Sequence, residues 1–121
     1  MAFRGSTLKS LHWVGSAKKD LSGMPRQVKR KMGFALCLAQ AGQKHPAAKV
    51  LKGFGSAGVL EVVEDFRSDA YRAVYTVRFA RAVYVLHCFK KKSTKGAQTP
   101  KPDAELIRAR LRAVEQAERE G

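Results

Sequence analysis

The sequence predicts an α+β domain: an antiparallel-rich twisted sheet with two N-terminal helices on one face and a C-terminal helix. Three observations carry this. From Gly58 to Lys92 the chain holds three runs rich in Val, Tyr, Phe and Leu, at 59–64, 71–79 and 82–89. They are separated only by the polar breaks Phe66-Arg67-Ser68-Asp69 and Ala80-Arg81, and connections that short join neighbouring antiparallel strands. Upstream, Val28, Met32, Ala35, Leu36 and Ala39 recur at i, i+4, i+7, i+8 and i+11, and downstream Ile107, Leu111 and Val114 recur at i, i+4 and i+7, each set being one apolar stripe of a helix.

In chain order, residues 1–7 carry no periodic pattern and are expected to be mobile. Leu8 to Val14 alternates weakly and adds a first strand, with Trp13 packed against a helix. Ser16 offers an N-cap to a short helix over 17–21 that breaks at Gly23. Pro25 suits the first turn of the second helix, which Gly42 ends; its Arg26, Lys29, Arg30 and Lys31 read as a solvated face. Residues 43–58, QKHPAAKVLKGFGSAG, form a loop. After the third core strand, KKKSTKGAQTPKPD is a basic linker, and Asp103 can cap the final helix. That helix either packs on the sheet or is displaced by a partner. The whole is one domain over 8–115, with 116–121 expected to fray.

The hairpins set the faces. Folding about Arg67-Ser68 places Val63 against Arg72 and Glu61 against Val74; folding about Ala80-Arg81 places Arg72 against Phe89 and Val74 against His87. Alternation then puts Glu61, Val63, Arg72, His87, Phe89 and Lys91 on one face, expected to be partly open. Leu60, Val62, Tyr71, Ala73, Tyr75, Val77, Tyr84 and Leu86 form the expected core face.

The formal charge is +14, from 24 Lys+Arg against 10 Asp+Glu, which concentrates polyanions at the surface and makes nucleic acid the leading partner class. No apolar run approaches ~20 residues, which argues against a membrane span. Cys37 and Cys88 read as small buried hydrophobes rather than a disulfide. The start MAFRGST has no apolar core for secretion, so a cytoplasmic location is expected.

Zinc spacing, GxxxxGK[ST], GxGxxG before a helix and GxSxG are absent, and the few acids before Asp103 are scattered. No cofactor and no metal are therefore expected. The chemistry that remains is RNA cleavage in which the ribose 2′-hydroxyl attacks its own phosphate. Arg72 can fork onto a phosphate. His87 is of the residue type that exchanges protons near neutral pH. Glu61 is either a general base or an ion-pair partner of Arg72 or His87. Lys90, Lys91 and Lys92, with Lys95 in the linker, can support the phosphate. Lys49 and Lys52 can contact the backbone from the loop, and Phe89 either stacks on a base or joins the core.

The succession K-x-L-K-G (49–53), G-x-L-E (58–61), Y-R-A-V-Y (71–75), L-H-x-F-x-K-K (86–92) and T-P…E-L-I (99–107) resembles the RelE/HigB superfamily of toxin–antitoxin toxins, in its phage-related HigB-like branch. The resemblance spans about residues 8–115. It implies a small RelE-like fold and a metal-independent, ribosome-dependent mRNA endonuclease held inactive by a cognate antitoxin, often a helix-turn-helix protein. It places the phosphate-contacting arginine at Arg72 and the assisting basic residues at Lys90 and Lys91. Many relatives carry Lys or Arg where this chain has Glu61-Val62-Val63, so Glu61 or His87 would take the proton-transfer role. The same fold serving as a non-catalytic RNA-binding or regulatory module is the alternative.

Overall fold

The computed structural model describes residues 8–92 and 98–121; residues 1–7 and Lys95 lie outside that description. The strands are β1 (Ser10–Trp13), β2 (Lys49–Val50), β3 (Val59–Phe66), β4 (Asp69–Thr76) and β5 (Ala82–Lys92), and the helices are α1 (Ala17–Ser22), α2 (Arg26–Gln40) and α3 (Lys101–Glu120). The strands form one sheet in the order β1-β5-β4-β3-β2, with β1 parallel to β5 and the other pairs antiparallel. The α+β class and its antiparallel-rich sheet are as the sequence predicts.

The first hairpin has the expected register throughout, and the second has it from Arg72 to Val74. Val63 faces Arg72 and Glu61 faces Val74 across β3 and β4, while Arg72 faces Phe89 and Val74 faces His87 across β4 and β5. The first turn works because Arg67 takes a left-handed φ of 60°, the conformation a two-residue hairpin needs. Beyond Val74 the ladder slips by one, and Tyr75 pairs with Val85. That bulge leaves Leu86 unpaired and corrects the expected faces. Val83 and Val85 join Leu60, Val62, Ala73 and Tyr75 in the core beneath α1 and α2, whereas Tyr84 and Leu86 lie in the opposite cluster.

The face expected to be partly open is in fact covered. Ile107, Leu111 and Val114 of α3 bury against Val59, Val74 and Leu86, making a second core. Burying each of those side chains contributes roughly 1.5–3 kcal/mol, so α3 is a structural layer and the sheet lies between two helical layers. Arg110 pins it further. Its Nη1 donates to the Leu86 carbonyl at 2.8 Å, satisfying the bulge residue, and its Nη2 reaches Ser16 Oγ at 3.3 Å. Gly15, at φ 54°, accommodates this guanidinium, because a Cβ there would lie 2.7 Å from Nη2.

The helical stripes are as predicted: Val28, Met32, Ala35, Leu36 and Ala39 are all buried in α2. Three local expectations are corrected. Residues 43–58 include the short edge strand β2. Ser16 precedes α1 but donates its hydroxyl to Asp20 at 2.7 Å instead of capping a backbone amide. Asp103 does not cap α3, which starts at Lys101 behind Pro100.

The cysteines divide. Cys88 is buried, and burial first, with Asp20 second, pushes its thiol up to about 12; Cys37 is exposed on α2, contrary to expectation, because it falls outside the apolar stripe. Iodoacetamide at neutral pH should therefore add one label, at Cys37, to the native protein and a second only after denaturation. Two labels on native protein by mass spectrometry would contradict this packing.

Candidate active site

The geometry of the α3-facing side follows from strand alternation. Lys49, Glu61, Val74 and His87 lie in one row across β2, β3, β4 and β5, and Val63, Arg72 and Phe89 lie in the next. Glu61 and Arg72 are diagonal neighbours, as are Arg72 and His87, at about 7–8 Å between backbone positions. Long side chains close that distance.

Arg72 Nη1 donates to Glu61 Oε2 at 3.1 Å, with Arg72 only 5% exposed. In so dry a setting each charge depends on the other, since a lone buried ion is strongly disfavoured. His87, 7% exposed, lies with Nε2 2.7 Å from Asp103 Oδ1, and its ring stacks on Phe89 at 4.6 Å and 15°. Its Nδ1 is buried and has no hydrogen-bond partner among the described residues. Phe89 thus packs on the histidine and on the α3 core. Lys91 Nζ donates to the Gln98 carbonyl at 2.8 Å, just ahead of α3.

The remaining predicted residues spread more widely. Lys49 is exposed at the sheet edge beside Glu61, and Lys52 is exposed in the loop that follows β2. Near Lys52, Arg108 of α3 stacks over Phe54, its guanidinium 5.0 Å from the ring centre, which adds a cation to that side. Lys90 points to the other face, opposite Tyr71, and is 3.9 Å from Asp69. A cavity of about 470 Å³ opens there, lined by Lys19, Asp20, Tyr71, Cys88 and Lys90 among others. The backbone of Lys92 ends β5 opposite Asp69, and its side chain, like Lys95, lies outside the described residues.

The sheet therefore brings Glu61, Arg72, His87, Phe89 and Lys91 onto one face with Lys49 at its rim, while Lys90 is separated from them. Sequence reasoning missed Asp103 and Arg110 as partners of this face. Both come from α3, and no local pattern announces a contact 16 or 24 residues away. Among the described residues, no three His, Cys, Asp or Glu side chains gather as a metal site would require, and no helix is long and apolar enough to cross a membrane.

These features define a class of small α+β domain in which a mixed sheet carries a cluster of charged side chains beneath a C-terminal helix. Residues 19–112, from α1 into α3, match the family described as Phage derived protein Gp49-like (DUF891). The chain belongs to that phage-derived family, which is related to RelE-type toxins. No curated protein matches it.

Proposed function

We propose that this protein is the toxin of a toxin–antitoxin pair of the HigB-like type, a metal-independent mRNA endonuclease that acts in the ribosome and stops translation. The observation that carries the reading is the convergence of Glu61, Arg72 and His87 on one sheet face. Those are the groups a 2′-hydroxyl attack needs. As the O2′–P bond forms and the P–O5′ bond breaks, Arg72 holds the non-bridging oxygens and Lys91 offsets the added charge. Glu61 and His87 are the two proton-transfer groups, one accepting the 2′ proton and the other protonating O5′. The products are a 2′,3′-cyclic phosphate and a 5′-hydroxyl.

The +14 charge supports a polyanionic partner such as ribosomal RNA with its bound message. A cognate antitoxin, of the helix-turn-helix type by resemblance, would restrain the protein in the cytoplasm. One observation favours the non-catalytic alternative, an RNA-binding or regulatory module: Arg72 and His87 are both buried and already partnered, as structural side chains would be. A purified translation system separates the two readings. The endonuclease cuts the message when ribosomes are present and leaves free RNA intact, whereas the binding module leaves both intact.

A further inference from the structure

The first turn of α3 brings an anion to the polar face. Asp103 does not cap its own helix, and its carboxylate instead meets His87 Nε2 at 2.7 Å. Directly ahead of it, Lys91 Nζ holds the Gln98 carbonyl. Beneath lie the buried Arg72 and the buried Nδ1 of His87, an atom with no partner among the described residues. On the sheet, Arg72 is the diagonal neighbour of His87 and Glu61 lies in its row two strands away, while Asp20, Lys19 and Lys90 line the cavity that His87 also borders; Asp103 is the carboxylate that α3 brings into hydrogen-bond contact with it. A carboxylate set on a histidine presents the charge and the acceptor oxygens that a phosphate would.

We propose that the first turn of α3 is an autoinhibitory cap, whose Asp103 carboxylate holds the place of an RNA phosphate over His87. This rests on the reading above, that the face receives an RNA phosphate. The cap can lift without the helix leaving. Ile107, Leu111 and Val114 are buried, Arg110 grips Leu86, Arg78 pairs with Glu115, and Tyr84 donates to Glu118 at 2.6 Å, so residues 107–118 stay anchored. Ahead of them, Lys101, Pro102, Glu105 and Leu106 are exposed. Among the described residues the first turn itself makes one side-chain hydrogen bond to the sheet, Asp103 to His87, and a helix end so lightly tied opens far more readily than the fold as a whole. An incoming phosphate then exchanges with Asp103 with no covalent step.

The test uses the full chain and a 2′-O-methyl RNA oligonucleotide, which binds but cannot be cut. Asp103→Ala removes the cap's anion, while Glu105→Ala makes the same change of charge in the same turn, at an exposed position. At one salt concentration Asp103→Ala should bind about tenfold more tightly than Glu105→Ala, and diethyl pyrocarbonate should modify His87 faster in the first variant. Equal affinities with both variants folded would overturn the cap. If Asp103→Ala binds more tightly yet neither it nor the parent cuts ribosome-bound message, the cap stands and the nuclease reading falls. If Asp103→Ala binds no more tightly and cuts more slowly than the parent, Asp103 orients His87 and the cap falls. Should the alanine variant fail to fold, Asp103→Asn, which keeps the volume and removes the charge, must shift affinity in the same direction or the cap is refuted.

Discussion

An Arg72→Lys protein is expected to melt close to the parent and to cut ribosome-bound message about 10²–10³-fold more slowly, the usual loss when one preorganised donor is removed from a developing charge. Lysine keeps the positive charge that Glu61 needs, but it has one ammonium in place of a planar fork and cannot hold two phosphate oxygens at once. Alanine is the less informative change. Because the Arg72–Glu61 pair is buried, Arg72→Ala strands a carboxylate and costs about 3–5 kcal/mol. That is a large fraction of the ~5–15 kcal/mol that holds a domain together, so melting should fall by roughly 10–20 °C. Single-turnover cleavage and melting measured on the same samples separate the two effects. An Arg72→Lys protein that cuts at the parent rate would remove Arg72 from the phosphate.

The second large effect is expected at His87. Its ring fills space against Phe89 and meets Asp103, so the replacement must preserve bulk and a donor. Glutamine does both, keeping an amide N–H for the Asp103 carboxylate while losing the ability to exchange a proton near neutral pH. His87→Gln should reduce the cleavage rate by about 10²–10⁴-fold, with RNA affinity nearly unchanged. A structural histidine makes the opposite forecast, a lower melting temperature with full activity in the folded fraction. Parent-rate cleavage by folded His87→Gln would leave Glu61 as the proton-transfer group.

The shared face of Glu61, Arg72 and His87 was legible in the sequence because two short turns and strict alternation leave few registers for β3, β4 and β5. The α2 stripe was equally plain, since a 3.6-residue period over fifteen residues has little competition. What escaped depends on distant contacts. The bulge that sends Tyr84 and Leu86 to the other face carries no glycine or proline as a mark; it is stabilised by Arg110, whose place depends on how α3 packs. Asp103 is of a residue type that caps helices, and local propensity could not foresee that Pro100 would open α3 three residues before the position a cap at Asp103 implies and release the carboxylate to His87. Closure of the polar face was missed for the same reason. The Ile107, Leu111 and Val114 stripe shows an apolar side without naming the surface it covers.

The central claim is that this face directs a 2′-hydroxyl against its own phosphate, and the chemistry of the cut ends tests it most directly. Message cut in a programmed ribosome by the purified protein should carry a 2′,3′-cyclic phosphate, or the 3′-phosphate from its opening, on one fragment and a 5′-hydroxyl on the other. A 3′-hydroxyl paired with a 5′-phosphate, or message left whole, would contradict it.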